Sequence, residues 1–241
     1  AIDARTISEV AESLVVGTVT TTDIDQPEGS AFIYSIARVS GTDYEKFTIN
    51  SSTGALSITS QPDYETKSSY SVVILSKDAG GKSISETFTI LVSDANDAPS
   101  LANAIPDQTI AEDSVLSFQF ASNVFADVDA GASLTYTATL SNGNALPSWL
   151  SFNTATRTFS GTPLNANVGT IAVKVTASDG TATVTDTFNL TVTNTNDAPT
   201  VANAIADQTI VEDSALSFEF ASNVFADVDD STTLTYSATL S

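Results

Sequence analysis

The residues best suited to chemistry in this sequence are carboxylates that gather at the ends of predicted strands. The chain has 29 Asp and Glu against 8 Lys and Arg, and it has no His and no Cys. Oxygen ligands without nitrogen or sulfur are typical of calcium sites, whereas zinc, iron and copper prefer His or Cys. Carboxylates held together would repel one another, so we expect a cation between them. The residues concerned are Glu12, Asp23, Asp25, Asp63, Glu65, Asp78, Asp94, Asp97, Asp127, Asp129, Asp179, Asp197, Asp227 and Asp229.

The segments that position these carboxylates recur along the sequence. The sequence Asn-Asp-Ala-Pro occurs at 96–99 and again at 196–199, and residues 103–141 match residues 203–241 without a gap. This is an internal repeat of about 100 residues. We expect three domains at 1–98, 99–198 and 199–241, the last of which is only the N-terminal part of a repeat.

Strand patterns run throughout the sequence. Segments such as "AFIYSIARV", "SYSVVILSKD" and "TIAVKVTASDG" alternate apolar and polar residues and are separated by Gly, Pro, Asn and Asp. About seven short strands per hundred residues is typical of an immunoglobulin-like antiparallel β-sandwich with Greek-key connections. We therefore expect an all-β chain of tandem sandwiches, in which the acidic turns meet at the sandwich ends.

Composition excludes several classes of function. The net charge of −21 argues against nucleic acid and anionic membrane surfaces. No apolar run approaches the roughly 20 residues of a spanning helix. No signal peptide opens the chain, and we expect Ala1 to lie inside a longer protein. Asp63 and Glu65 could in principle form a glycosidase pair, but this spacing also suits shared metal ligands, and serine chemistry lacks its histidine. We expect no enzyme, no catalytic residues and no organic cofactor.

Five motifs in the first repeat resemble the cadherin repeat. They are "AESLVVGTV" with Glu12, "TTDID", "PDYE", "SKDAG" and "DANDAP", in the order found in cadherins. The second repeat resembles the dystroglycan-type cadherin-like (CADG) domains of large bacterial surface proteins. That similarity rests on "DQTIAEDSVLSFQF", "FADVD", "LPSWLSFNTATRTFSGTP", "VTASDG" and "TNDAP", and it extends in part over residues 200–241.

The resemblance implies calcium ions between consecutive domains, held by one domain, the linker and the next domain. At the first junction the implied ligands are Glu12, Asp63, Glu65, Asp94, Asn96, Asp97, Asp127, Asp129 and Asp179. At the second they are Glu112, which could replace Glu12, with Asn196, Asp197, Asp227 and Asp229. A further half-site would consist of Asp23, Asp25 and Asp78. The alternative is that all are ordinary turn residues, because Asp and Asn favour turns.

We expect fewer ions and weaker binding at the second junction. The second repeat has "SGTPLNANVG" where the first has "PDYE", so it lacks the acidic pair of Asp63 and Glu65. Asn194 also stands at the position of Asp94.

The implied function is that of calcium-rigidified spacer repeats in a bacterial adhesin or another large protein, extracellular or on the bacterial cell surface. The alternative is a calcium-dependent module that binds carbohydrate or a surface protein, which an exposed cluster around Tyr34, Tyr44 and Tyr70 would favour. If residues 204–240 are ordered, we expect a second chain to cover them, as in a strand-exchanged homodimer through 199–241.

Overall fold

The computed structural model describes residues 1–2, 5–24, 31–229 and 233–239. Within these residues nearly all regular structure is β-strand, apart from short 3₁₀ turns at Tyr44–Lys46 and Asn165–Asn167. No helix in the described part of the chain is long and apolar enough to cross a membrane. The prediction of an all-β fold is confirmed.

The first compact unit comprises Ala1–Asp97 together with Val128–Gly131. Its strands are β1 (Thr6–Ser8), β2 (Val15–Thr18), β3 (Ile33–Ala37), β4 (Phe47–Ile49), β5 (Ala55–Ile58), β6 (Ser69–Lys77) and β7 (Ser83–Ser93). They form two sheets, ordered β1-β7-β6-β3 and β2-β5-β4, which share one hydrophobic core.

Buried and exposed side chains alternate along the strands, and the buried ones form this core. Val72 and Ile74 on β6, Phe88 and Ile90 on β7, and Leu56 on β5 are each at most 2% exposed. Successive side chains of a strand lie on opposite faces, so every second residue points inward. Removal of these apolar side chains from water is the main stabilising term of the unit.

The first strand pairs with the last one in parallel. Thr6 lies opposite Leu91, and Ser8 lies opposite Ser93. Because this register brings the end of β1 to the end of β7, the next residue, Glu9, lies beside the start of the linker. The backbone amide of Glu9 donates to the carbonyl of Ser93 at 3.4 Å.

The second compact unit comprises Ala98–Asp127 and Ala132–Ser241. Its strands are β8 (Ser100–Leu101), β9 (Gln108–Ala111), β10 (Leu116–Gln119), β11 (Phe125–Ala126), β12 (Thr135–Leu140), β13 (Leu150–Asn153), β14 (Thr158–Gly161), β15 (Gly169–Ser178), β16 (Thr183–Thr193), β17 (Thr200–Val201) and β18 (Phe225–Ala226). The main sheets are ordered β12-β15-β16-β9 and β10-β14-β13, and β9 pairs with β16 in parallel, as β1 does with β7. The core contains Phe120, Phe159, Phe188, Val173 and Val175.

The segment 199–239 contains fewer strands than its sequence predicts. Among its described residues only β17 and β18 pair, whereas the counterparts of β9, β10 and β12 are not strands. The reason lies in the second unit, where β9 pairs with β16, β10 with β14 and β12 with β15. These three strands pair with the second half of the repeat and not with one another, so a first half alone has no sheet to join.

The compact units follow the predicted repeats only in part. Val128–Gly131 packs with the first unit although it lies within the second repeat, and residues 199–241 are grouped with the second unit. The boundaries of the three predicted domains therefore stay a prediction.

Two glycines of the first unit make a matched test of its packing. Gly54 has φ +74°, and a Cβ placed there would lie 2.2 Å from the carbonyl oxygen of Val19. Gly41 has φ +84° with no heavy atom within 4 Å of such a Cβ. We expect Gly41→Ala to cost about 1 kcal/mol from backbone strain, and Gly54→Ala at least about 2 kcal/mol more from the clash. Thermal unfolding of both variants by calorimetry measures the difference, and equal midpoints would contradict the described packing.

Candidate calcium centres

Glu9 is a buried acidic residue of the first unit, 9% exposed. It follows β1, and its side chain accepts hydrogen bonds from two backbone amides: Oε2 from Tyr64 at 2.7 Å and Oε1 from Ala95. These amides belong to the segments that carry Glu65 and Asp94. The parallel pairing of β1 with β7 thus positions Glu9 between two other acidic segments.

Glu65 joins two acidic groups in the first unit. One carboxylate oxygen from each of Glu9, Glu65 and Asp94 lies within 4.8 Å of the others, and the same holds for Glu65, Asp97 and Asp129. The amide of Asp97 donates to Oδ2 of Asp129 at 3.1 Å. Asp129 belongs to the Val128–Gly131 segment of this unit, which continues on both sides into the second unit. Several carboxylates can therefore coordinate the same ion through their oxygens.

The pKa values of Glu65 and Asp97 are raised because these carboxyl groups lose contact with water and lie near other carboxylates. Loss of contact with water raises the pKa of Glu65, and the charges of Glu9, Asp94 and Asp97 raise it further. Loss of contact with water also raises the pKa of Asp97, with additional contributions from Glu9 and Asp129. In the absence of a cation, the folded unit therefore holds the proton of each of these two carboxyl groups more tightly than the unfolded chain does.

A third acidic group lies in the second unit and consists of Glu112, Asp197 and Asp229. Glu112 follows β9 as Glu9 follows β1, and its Oε1 accepts a hydrogen bond from the amide of Thr195 at 2.7 Å. Asp229 accepts hydrogen bonds from the amide of Asp197 at 2.7 Å and from the side chain of Asn194 at 2.8 Å. The arrangement at the two junctions is thus built on the same glutamate position.

The second oxygen of Glu112 tests whether these residues suit a cation. Glu112 is only 1% exposed, and Oε2 has no hydrogen-bond partner among the described residues. The equivalent oxygen of Glu9 accepts the amide of Tyr64. A buried carboxylate oxygen without a partner is costly, and a hard cation removes that cost. The donors of all three groups are carboxylate oxygens, so the residues fit calcium.

The structure brings together part of the predicted ligand set. Glu65, Asp94, Asp97 and Asp129 lie in the groups of the first unit, and Glu112, Asp197 and Asp229 form the group of the second. Their role as ligands stays a prediction.

Glu12 and Asp63 of the first repeat lie outside the acidic groups. Glu12 is exposed and belongs to none of them. Asp63 accepts hydrogen bonds from the amide and the hydroxyl of Thr66 at 2.9 and 2.8 Å, which lower its pKa. The charge of Asp63 nevertheless contributes to the raised pKa of Asp97.

The remaining predicted ligands have other surroundings in the structure. The side chains of Asn96 and Asn196 each donate to the carbonyl of the following residue at 2.8 Å. Asp227 accepts the amide two residues on at 3.0 Å, and Asp179 accepts two amides of its turn at 2.6 Å. Asp127 lies in the second unit and outside the acidic groups.

The predicted half-site of the first repeat is described only in part. Asp23 and Asp78 line one open groove, and Oδ1 of Asp78 accepts the amide of Lys82 at 2.8 Å. Asp25 lies outside the described residues.

Glu9 is the candidate that the sequence did not reveal. The motif resemblance selected Glu12, whereas the pairing of first and last strands selects Glu9. A signal was present: "TISE" at 6–9 corresponds to "TIAE" at 109–112, so Glu9 and Glu112 end the same element. The structure adds Glu9 to the candidate ligands.

The tyrosines considered for a carbohydrate site do not form an open stacking surface. Tyr34 is buried in the core of the first unit. The ammonium of Lys67 lies over the ring of Tyr70, 5.1 Å from its centroid. Tyr70 also contacts Phe47 edge-on, with ring centroids 6.0 Å apart. An exposed platform around Tyr34, Tyr44 and Tyr70 is therefore not formed.

Comparison with known families agrees with this geometry. Residues 4–93 match the cadherin domain. Residues 98–193 match a family described as a putative Ig domain. The chain thus carries a cadherin domain followed by an Ig-like domain. Cadherin domains bind Ca²⁺ at interdomain linkers, and they are non-enzymatic, as the sequence predicted for this chain.

The similar proteins are cadherins and their extracellular domains. Cadherin-99C of Drosophila melanogaster is 35% identical over 91 residues, which make up 38% of this chain and 5% of that protein. This chain therefore spans a small part of the relatives it matches. Cadherin homologues are extracellular ectodomains.

Solved structures show the same fold. Human protocadherin-24 EC1-2 has a TM-score of 0.58 at 15% identity, covering 79% of this chain and 95% of that one. Mouse cadherin-23 EC22-24 has a TM-score of 0.54 at 22% identity, covering 80% and 64%. The predicted class of tandem cadherin-like sandwiches is confirmed.

Calcium binding should depend on Glu9 more than on Glu12. We expect Glu9→Gln to weaken binding about tenfold or more, because it removes one charge from a group that Glu65 and Asp94 share. Glu12→Gln, its matched control, should leave the affinity unchanged. Calorimetric titration of both variants with calcium measures the effect, and a loss confined to Glu12→Gln would restore the assignment made from the motif.

The raised pKa values predict how the calcium-free protein responds to pH. A carboxyl group with a raised folded-state pKa stabilises the fold at low pH, and this contribution is lost as pH rises through that pKa. For Glu65 and Asp97 the loss begins near their ordinary values of 4.5 and 3.8. Asp63 does not offset this loss above pH 4.5, because its pKa is lowered and its carboxyl group is ionised in both the folded and the unfolded chain. We expect the melting temperature of the first unit, measured in calcium-free buffer, to fall as the pH is raised from 4.5. The double variant Glu65→Gln, Asp97→Asn should show a flatter profile, and an unchanged slope would contradict the crowding.

Proposed function

We propose that this chain is a segment of calcium-rigidified extracellular spacer repeats in a large surface protein. The observation that carries the proposal is the recurrence of one arrangement, a glutamate after the first strand beside an acidic linker, at 94–97 and at 194–197. The motif resemblance of the second repeat to CADG domains supports a bacterial adhesin as the context.

Calcium would act through charge. Without a cation, Glu9, Glu65, Asp94, Asp97 and Asp129 carry like charges at short range, and their repulsion favours separation of the segments that hold them. With calcium, the same oxygens become shared ligands. Since Asp129 continues covalently into the second unit, an ion bound to Asp97 and Asp129 would restrict the connections that leave the first unit. We therefore propose that calcium converts a hinged chain into a stiff one.

The affinity range suits an extracellular protein. Calcium sites in extracellular modules commonly bind at about 10⁻⁴ to 10⁻³ M, so external calcium fills them while cytosolic levels leave them empty. We propose that the protein is flexible before export and extended afterwards.

The two junctions should differ in strength. At the second junction Asn194 replaces Asp94, and its side chain accepts a hydrogen bond from Asn165 at 3.4 Å, so two amides stand where the first junction has carboxylates. The second group therefore offers less negative charge. We propose at least two ions at the first junction and one, more weakly held, at the second.

Small-angle X-ray scattering tests the proposed stiffening. We expect the maximum dimension of the chain to increase, and its distribution of distances to narrow, when calcium at millimolar concentration replaces chelator. Asp97→Ala should remove most of this change and most of the gain in melting temperature. Glu86→Gln, an exposed site on β7 outside the acidic groups, is the matched control. An unchanged maximum dimension for the unmodified chain would refute the proposal that calcium stiffens the chain.

A further inference from the structure

β12 is an edge strand of the four-stranded sheet in the second unit. It pairs with β15 along one side, from Thr135 opposite Ser178 to Leu140 opposite Val173, and this register contains no bulge. No described strand pairs with its other side. The strands that follow it in the same repeat, β13 to β16, are all in place, so the open side of β12 is a property of the finished sandwich.

The hydrogen bonds where β12 ends show which of its residues face away from β15. The amide of Ser141 donates to the carbonyl of Ala172 on β15 at 2.8 Å. The amide of Leu140 instead donates to the carbonyl of Asn144, and its carbonyl accepts the amide of Gly143, both at 2.9 Å. Alternate residues of an antiparallel strand bond to the same side. The even-numbered residues of β12 therefore direct their amides and carbonyls outward.

Tyr136 and Ala138 are the outward-facing residues that this turn does not satisfy. The first unit differs at the equivalent strand, where "IYSIA" at 33–37 corresponds to "TYTAT" at 135–139. There the amide of Tyr34 donates to the carbonyl of Ser51 at 2.9 Å. Among the described residues none provides this contact for Tyr136. The edge is thus capped at β3 and open at β12.

The flank around this open edge carries no charged residue of its own. Residues 130–156 contain no Asp, Glu, Lys or Arg, which is the longest such run in a chain of net charge −21. The run includes β13, the edge strand of the other sheet. Phe120 contacts Tyr136 on β12 and Phe152 on β13, with ring centroids 5.7 and 6.1 Å apart, so both edges lie on one flank. Sheet edges commonly carry charged residues or proline that prevent pairing, and β12 has neither.

We propose that β12 pairs with β12 of a second copy of this chain, in antiparallel orientation and centred on Thr137. In this register Tyr136 of one copy exchanges both backbone hydrogen bonds with Ala138 of the other, so the open amides and carbonyls of both residues are satisfied. The two four-stranded sheets then form one continuous sheet. The inference does not rest on the proposed calcium function.

The side chains of β12 suit pairing with a second β12. Thr135, Thr137 and Thr139 lie on the outer face of the sheet, because the residues between them pack against the core. The proposed register places Thr137 opposite its own copy and Thr135 opposite Thr139, and directly opposed threonines stabilise antiparallel pairs. A register shifted toward the turn would use Leu140, whose backbone groups are already bonded.

The charge of the chain also selects this flank for self-association. Two copies that each carry −21 repel one another over most approaches. The repulsion is weakest where neither copy presents a carboxylate, and residues 130–156 provide such a stretch. Contact through this flank therefore costs a second copy less than contact through the acidic ends of the sandwich.

Cysteine cross-linking tests the register, because the chain has no cysteine of its own. The opposed Cα atoms at position 137 would lie about 4.5 Å apart, within the range that a disulfide spans. We expect Thr137→Cys to form a linked dimer under mild oxidation. The matched control Thr139→Cys should link to Thr135→Cys in a mixture of the two variants but not to itself. Self-linking of Thr139→Cys as fast as that of Thr137→Cys would overturn the proposal.

Sedimentation equilibrium in chelator measures the reversible association without calcium. We expect the average mass of the unmodified chain to rise toward that of a dimer above about 0.1 mM, since one pair of edges buries less surface than a standard interface. Thr137→Lys places two ammonium groups opposite each other and should weaken the dimer about fivefold. Thr185→Lys, exposed on the same face but on β16, is the matched control and should leave the dimer unchanged.

Two results of this measurement would contradict edge pairing. An unmodified chain that stays monomeric at about 1 mM would show that the open edge does not associate. A dimer that Thr137→Lys and Thr185→Lys weaken equally would place the contact away from β12. Either outcome would overturn the proposal and leave the proposed calcium function untouched.

Discussion

Everything at the acidic junctions depends on the parallel pairing of the first strand of a sandwich with its last strand. The ladder from Thr6–Leu91 to Ser8–Ser93 brings the residue after β1 to the point where the chain leaves the domain. The same ladder in the second unit, with Ala111 opposite Thr193, does this for Glu112. A single backbone register thus places a glutamate beside each linker, and its carboxylate is held there by amides of that linker.

This constraint sets two physical requirements against each other. The sandwich is stable because its strands bury apolar side chains such as Phe88 and Phe188. The same strands lead to carboxylates that lose contact with water and lie near like charges, and both effects raise the pKa values of Glu65 and Asp97. Folding alone leaves this repulsion in place, and the oxygen-only chemistry of the groups decides which cation would relieve it. In the proposed function, the apolar core determines the fold of each domain, and the bound ion restricts the motion of the connections that leave it.

Sequence reasoning succeeded where a pattern is local. Alternation along 69–77 and 83–93 predicts β6 and β7, and the Asn-Asp-Ala-Pro linkers draw attention to Asp97 and Asp197. It failed where the outcome depends on a distant partner. Glu9 is selected by a strand more than 80 residues away, and a motif window around Glu12 contains no information about that pairing. The strands predicted in 203–239 have the right local pattern, but β-structure needs a neighbouring strand, and that partner lies in the second half of a repeat.

The division of each sandwich into two interdependent halves also fixes when a repeat can fold. Because β9, β10 and β12 find their partners only in β16, β14 and β15, a nascent chain gains little until residues as far as Thr193 have emerged. Such non-local pairing folds slowly and leaves apolar segments open for as long as it is incomplete. Residues 103–141 and 203–241 could then compete for the same partner strands, since both offer the same core residues. Synthesis from the N-terminus on the ribosome resolves this choice, because residues 142–193 emerge directly after 103–141 and before 203–241 has been made.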